Sequence, residues 1–326
     1  MGLRQKTESF TLRFEYLIII MIVFNANSIK KLIMDEKKSQ TVYKVLMFSS
    51  IDEIKNWLDI QRKAGKSIGF VPTMGALHRG HTSLIEKAKT ENDIVAASIF
   101  VNPTQFNNPA DLQNYPRTPE EDYRLLLESH TDVLFSPSVD EVYSPKLHNA
   151  QVLDIGQLGT VMEGEHRPGH FAGVIQIVSR LFDIINPDSA YFGEKDFQQL
   201  AVIRFMTKQM NYKIEIIGCP TVRESTGLAM SSRNLRLTEK GRVDASEIYT
   251  SLLSAKAQYK KSLPVLIKQH VVSSIEKDGN LKVEYIEIAD EETLQPVSSW
   301  DQHQHCRIFA AVFCEGIRLI DNVRLF

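Results

Sequence analysis

The sequence predicts an α/β fold, with a Rossmann-like, mainly parallel sheet followed by a smaller α+β domain. Three observations carry that expectation. From about Ile51 to Pro220, short apolar runs alternate with segments whose apolar residues recur at helical spacing. Polar stretches follow several of the predicted strands, at the edge where parallel sheets keep their ligand sites. Beyond Pro220 the order changes to two helices and then three alternating strands. The expected organisation is an atypical extension over residues 1–46, a sheet domain over 47–220 and a small domain over 221–326.

Taken in order, "DEIKNWLDIQRKAG" reads as an amphipathic helix stopped by Gly65, and "SIGFV" as a short buried strand. "GHTSLIEKAKTEN" carries Leu84, Ile85 and Ala88 on one helical side, and "DIVAASIFVN" has the continuous apolar character of a central parallel strand. "PEEDYRLLLESH" opens with proline and an acidic first turn, a good helix start, and "DVLFSP" follows as a strand. Val174, Ile177, Val178, Leu181 and Ile185 mark a helix that Pro187 ends. "SAYFGE", "DFQQLAVIRFMTKQM" and "KIEIIGCP" continue as strand, helix and strand. "TVRESTGLAMSSRNLRLT" reads as an irregular loop beside a hinge. The helices "EKGRVDASEIYTSLLSAKAQYKK" and "PVLIKQHVVSSIEKDG" come next, then the strands "LKVEYIEIAD", "CRIFAAVFC" and "GIRLIDNVRL".

A chain of 326 residues with 43% hydrophobic content can bury two cores. Its formal net charge of −2 gives no global field to attract nucleic acid or an acidic membrane. Cys219, Cys306 and Cys314 are too few and too scattered for a disulfide framework or a four-cysteine metal cage, which points to a reducing compartment. "FEYLIIIMIVF" contains an apolar run from Leu17 to Phe24 that is short for a membrane span and poor as a secretory signal. Three readings stand for this extension: a non-native or dispensable segment with the start at Met47, a targeting segment, or an ordered accessory.

The chemistry-bearing residues fall in five stretches. "GFVPTMGALHRGHTSLIEKAK" sets His78 and His81 at a turn into a helix, whose unpaired backbone N–H groups favour anions. Two imidazoles there suit phosphate oxygens; structural histidines and a metal pair are the alternatives, although no third metal ligand lies at suitable spacing. Gly80 is expected to tighten the turn and Gly75 to let backbone approach a ligand. In "VNPTQFNNPADLQNYPRT", Asn102 and Gln105 offer amides and Arg117 a guanidinium, against the alternative of an ordinary loop. "EGEHRPGHFAGV" gathers Glu163, Glu165, His166, Arg167 and His170, where a metal cage competes with capping and solvation. "FGEKDFQQL" puts Gly193, Lys195, Asp196 and Gln199 across a strand-to-helix junction, with Asp196 a candidate cap. "MSSRN" supplies Met230, Ser231, Ser232 and Arg233, a segment able to wrap phosphate. It matches neither a Walker A loop nor a dinucleotide fingerprint.

Together, "PTMGALHRGHTSLI", "VNPTQF", "YPRT", "RPGHFAGV", "FGEKDFQQL" and "GLAMSSRN" resemble the pantothenate synthetase, or pantoate–β-alanine ligase, family from about Met47 to the carboxyl end. The histidine motif alone is shared across nucleotidylyltransferases and class I aminoacyl-tRNA synthetases, whereas six motifs in this order are far more specific. The resemblance implies a nucleotidylyltransferase-type domain, a smaller lid domain, a homodimer and a cytoplasmic enzyme without nucleic-acid or membrane partners. It implies condensation of pantoate with β-alanine, through pantoyl adenylate, to pantothenate, AMP and diphosphate. By the same resemblance, His78, His81, Lys195, Ser231, Ser232 and Arg233 serve the reaction. Gln105 and Gln199 grip pantoate, and Asn102 lines the β-alanine subsite. ATP is met by Met74, His81, Gly193, Lys195 and Asp196 on one side and by Met230, Ser231, Ser232 and Arg233 on the other. Magnesium bridges phosphate oxygens, with Asp122 as a protein ligand. Thr226 stands where members commonly have Asp. Other enzymes with the histidine motif would not need the Gln105 and Gln199 pair, and a non-catalytic nucleotide-binding module would bind ATP without releasing pyrophosphate.

Overall fold

In the computed structural model, which describes residues 44–143, 153–301 and 305–326, six parallel strands form the larger sheet. The readings offered for the first 43 residues lie outside the described residues. The strands are β1 (Leu46–Phe48), β2 (Ile68–Thr73), β3 (Ile94–Ile99), β4 (Val133–Phe135), β5 (Ser189–Gly193) and β6 (Glu215–Cys219). Their spatial order is β1-β4-β3-β2-β5-β6. β1 escaped the sequence reading because three residues carry no periodicity; it pairs Leu46 with Val133, and Val45 before it is buried.

Both faces of this sheet are covered, which explains the unbroken apolar character of its central strands. Adjacent residues of β2 point opposite ways, Phe70 into one core and Val71 into the other. On the Phe70 side, α1 (Ile51–Lys63) buries Ile51, Ile54 and Leu58. Beside it packs α7 (His170–Ile185), apolar around most of its circumference and ended by left-handed Asn186 before Pro187. On the Val71 side, α2 (Arg79–Glu91) buries Leu84, Ile85 and Ala88. Short helices α3 (Pro109–Gln113), α5 (Val139–Val142) and α6 (Glu163–His166) were not predicted; α4 (Pro119–Glu128) and α8 (Phe197–Gln209) follow the predicted segments.

The second sheet is antiparallel, β7 (Leu281–Asp290), β8 (Cys306–Cys314) and β9 (Ile317–Arg324) in that order, backed by α9 (Glu239–Ala245), α10 (Glu247–Gln258) and α11 (Pro264–Glu276). Glu315 and Gly316 between β8 and β9 both have positive φ, as a two-residue hairpin turn requires. The single helix expected from Glu239 is divided at Ser246, whose hydroxyl donates to the Val243 carbonyl at 2.6 Å and competes with the helical ladder. The three cysteines are buried and free, and burial raises the thiols of Cys219 and Cys306 to about 11. No helix among the described residues is long and apolar enough to cross a membrane.

Glu163, on α6, joins the two sheets' surroundings. Its carboxylate accepts two hydrogen bonds from Arg318 of β9, at 2.9 and 2.7 Å, and one from Tyr285 of β7 at 2.8 Å. Burial by itself would raise this carboxyl, yet Arg318 and Arg167 outweigh it and hold the group at about 2. Glu163→Gln is expected to cost roughly 1–3 kcal/mol, because it replaces a charged acceptor by an amide whose N–H edge faces a donor, while Arg318 keeps Glu284. Since the folded value lies below the ordinary 4.5, this contribution is present above pH 4.5 and disappears as pH falls toward 2. Urea denaturation across that window should show a flatter acid limb for E163Q.

Candidate active site

β2 and β5 are neighbours, but from β2 the chain works outward through β3 and β4 before returning to the other side at β5. The loops leaving these two strands therefore diverge, and a crevice opens between them at the strands' carboxyl ends. A cleft of about 220 Å³ lies there. It is lined by Met74, His78 and His81 from the β2 side, Gly193, Lys195, Asp196 and Gln199 from the β5 side, Asn102 and Gln105 after β3, and Met230 to Arg233 beyond β6. A second cleft of about 410 Å³ shares Lys195, Asp196, Ser231 and Arg233 with the first.

The histidine loop is built on an unusual backbone. Gly75 and Ala76 both have positive φ, 78° and 47°, which turns two successive N–H groups inward. Asp122, buried at the start of α4, accepts from Ala76 N at 3.0 Å, Leu77 N at 2.7 Å and the Thr118 hydroxyl at 3.0 Å. Expected as a magnesium ligand, this carboxylate stands outside the cleft lining, with its oxygens accepting from the loop and from Thr118. Gly75 also serves a different end from the one expected, since a Cβ there would lie 3.0 Å from Asp122 Oδ2. Gly80 is already helical, and a Cβ on it would meet the His78 ring at 2.8 Å.

That ring caps α2. His78 Nδ1 accepts from Gly80 N at 3.1 Å, and His81 Nδ1 accepts from His78 N at 3.3 Å. With each Nδ1 accepting, the proton of each neutral imidazole sits on Nε2, so both rings offer an Nε2–H donor. Their centroids are 4.1 Å apart. Loss of solvent, then the neighbouring His81 and Lys195, lower His78 to about 2; loss of solvent and then Lys195 lower His81 to about 4. Both rings are neutral at pH 7.

The other segments are tied to this loop. Ser232 Oγ donates to the Ala76 carbonyl at 3.0 Å, and Ser231 Oγ accepts from Arg233 N at 3.3 Å. Arg233 pairs with Asp111 of α3 at 2.7 Å; burial alone would raise that carboxyl, but Arg233 and Arg236 bring it below its ordinary value. Buried Asn102 uses its amide to accept from Tyr143 and donate to Gly173 O, at 3.1 Å, and Gln105 Oε1, at 3.3 Å. Gln105 in turn donates to Met74 Sδ at 2.9 Å. Lys195 Nζ lies 3.8 Å from Asp196. Arg117, expected to meet an anion, is exposed and donates to the Tyr115 carbonyl at 3.4 Å; it is Tyr115 that faces the cleft. Among the described residues no group of three His, Cys, Asp or Glu side chains is placed to hold a metal ion. In particular His166 stacks on Tyr285, while His170 contacts Gln105 O at 2.9 Å and Arg167 at 3.2 Å.

A model of the pantoate–β-alanine ligase family matches residues 46–324, the whole of both sheets and the cleft. The chain belongs to the pantoate–β-alanine ligase family. As a member, the ligase couples pantoate and β-alanine to pantothenate at the expense of ATP. Pantothenate synthetase of Porphyromonas gingivalis is 47% identical over 278 residues, covering 85% of this chain and 98% of the relative. The enzyme of Phocaeicola vulgatus is 49% identical over 280 residues, with coverage of 85% and 98%. In three dimensions, the crystal structure of pantothenate synthetase from Thermus thermophilus superposes with a TM-score of 0.81 at 38% identity, covering 86% of this chain and all of that one. A Francisella tularensis pantoate–β-alanine ligase, crystallised with β,γ-ATP and β-alanine, gives 0.71 at 38% identity, covering 86% of this chain and 98% of that one.

Asp111, Tyr115 and Tyr143 of the ligase were missed as parts of this site, and His170 was read only as a metal-cage or capping candidate. Tyr115 and His170 stand within recognisable motifs, but their roles depend on partners 65 or more residues away, such as Gln105 for His170. Asp122 gives the sharpest expectation. In Asp122→Asn an amide N–H would face one of two backbone N–H groups, which should cost about 1–3 kcal/mol. The magnesium concentration dependence of the reaction should not move; a raised magnesium requirement without loss of stability would restore the metal role. For the histidines, folded values below the ordinary 6.5 mean that the unfolded chain binds more protons below that pH. Stability of the ligand-free ligase should thus fall as pH drops from 6.5 toward 4, and H78Q/H81Q should lose most of this slope, His170 supplying the remainder.

Proposed function

We propose that the cleft runs the ligation in two half-reactions, with the paired histidines serving the first. In that step a pantoate carboxylate oxygen forms a bond to the α-phosphorus of ATP as the bond to the departing pyrophosphate breaks. In the second, the β-alanine amine attacks the acyl carbon, AMP leaves and the amine gives up a proton. Activation is needed because a carboxylate's own leaving group would be oxide. No enzyme nucleophile takes part; the protein orients the reactants and stabilises charge as it develops.

The observation that carries this reading is the fixed pair of Nε2–H donors in the same cleft as Lys195 and the two glutamines. His78 and His81 donate to the phosphates without adding charge of their own, and a bound polyanion draws their protonation upward. Lys195 and Arg233 neutralise phosphate charge, with Arg233 exchanging Asp111 for ligand. Ser231 and Ser232 cradle phosphate through hydroxyl and backbone, and Met230 borders the nucleotide. Met74, Gly193 and Asp196 place the reacting end and the ribose. Gln105 and Gln199 hold pantoate, while Asn102 aligns Gln105 and borders the β-alanine subsite.

Magnesium suits this site as a companion of ATP: the lining is basic, Asp196 is its nearest free-edged carboxylate, and hard phosphate oxygens and water fill most of such an ion's shell. When bound, it would supply charge neutralisation on the phosphates. The small sheet and its helices act as a lid, the enzyme works as a homodimer, and it is cytoplasmic.

Pyrophosphate release should depend on pantoate before β-alanine is added, and AMP and pantothenate should then appear in equal amounts. His78→Ala or His81→Ala should lower the first half-reaction by roughly 10²–10³-fold, while stability falls only by the roughly 0.5–2 kcal/mol of a lost helix cap. Parallel loss of folding and activity would count against the phosphate role and for a purely structural pair.

A further inference from the structure

β9 contains two adjacent buried polar residues, Asp321 and Asn322, in a strand whose neighbours Ile317, Leu319 and Leu325 pack into the small domain's core. Buried polar groups weaken such a strand unless their hydrogen bonds are made, and here every partner leads toward the cleft. Asn322 Nδ2 donates to the backbone carbonyls of Glu194, at 2.9 Å, and Lys195, at 2.8 Å. Its Oδ1 accepts from Arg307, which is itself buried, donates to Glu291 at 2.8 Å and lies 4.0 Å from the Phe197 ring centroid. A guanidinium cannot accept, so the amide cannot be turned over: the donor edge must face the Glu194–Lys195 turn.

Successive side chains leave a strand on opposite faces, and Asp321 accordingly reaches another segment. It pairs with Arg223 through two bonds, at 2.6 and 3.0 Å. Arg223 also donates to Gly227 O at 3.1 Å and forms a bridge with Ala229, immediately before Met230 and the two serines. The dipeptide is closed on itself, since Asn322 N donates to Asp321 Oδ1 at 2.8 Å.

We propose that Asn322 is a positioning residue for the ligation: it fixes the turn bearing Lys195 from the small sheet, while Asp321 fixes the segment bearing Ser231 to Arg233. Both phosphate-facing segments then take their place from one point on β9, and a movement of the small sheet carries Lys195 with it. The inference rests on the reading of Lys195 as a phosphate contact.

A double-mutant cycle with Lys195→Ala tests it, using Asn322→Asp, which keeps size but replaces the donor by an acceptor facing two carbonyls. N322D is expected to lower kcat/KM for ATP roughly 10- to 100-fold, as small misplacements in a site do, with KM for β-alanine nearly unchanged. In the K195A background the same change should have little further effect, because residues acting as a unit are not additive. Should N322D fail to fold, N322S, which keeps one donor, goes through the same cycle. Fully additive losses with K195A impaired, or a loss shared equally by ATP and β-alanine and tracking the unfolding midpoint, would overturn the positioning role alone. A K195A enzyme with unaltered ATP dependence would remove the reading beneath it, and the proposal with it.

Discussion

The site hangs on one buried carboxylate. Asp122 accepts the N–H groups of Ala76 and Leu77, and those bonds hold two consecutive residues in the left-handed region, where a non-glycine residue such as Ala76 would not settle unaided. Everything downstream follows from the course this imposes. The loop delivers His78 to the cap position of α2, the His78 ring fits because residue 80 has no Cβ, and the two Nδ1 atoms are satisfied by backbone donors. The proton on each ring is thereby assigned to the edge that a ligand can meet.

Charge in the cleft is predominantly positive or neutral. Lys195 and Arg233 are drawn in together, and the histidines respond by staying neutral. Arg233 satisfies itself with Asp111, a carboxylate shared with Arg236. A polyanion entering such a site meets preplaced donors and Lys195, and must draw Arg233 from Asp111. Asn102, Tyr143 and His170 contribute differently, by using their full hydrogen-bonding capacity to hold the Gln105 segment still.

Two sheets of different construction meet beside this cleft, the antiparallel one lining its neighbour. The parallel sheet supplies the crevice through its strand order, and the antiparallel sheet reaches over with Arg318 to Glu163 and with Asn322 to the turn after β5. The smaller sheet is therefore more than a cover, because its edge strand β9 carries polar groups that bond to the loops of the parallel sheet.

Much of this was legible in the residues themselves. Continuous apolar runs in β2 and β3, the 3.6-residue spacing in α7 and the alternation in β7 identify elements because burial on two faces, one stripe or one face leaves a local signature. The histidines, the glutamines, Lys195 and the serine-arginine run, which the fold gathers along one cleft, each lie within a short motif. What the sequence could not settle were contacts between residues far apart in the chain. The family resemblance put Asp122 at magnesium; only the fold shows its oxygens turned onto Ala76 and Leu77, 45 or more positions away. Arg117 turns away and Tyr115 faces the cleft for a like reason, the direction of a side chain from an irregular loop having no periodicity to betray it. The sequence by itself determined which chemical groups are present and which elements carry them, since those depend on local pattern. Tertiary structure alone decided which groups face the ligand and which spend themselves holding others, because a buried donor or acceptor is claimed by whichever partner the fold brings within reach.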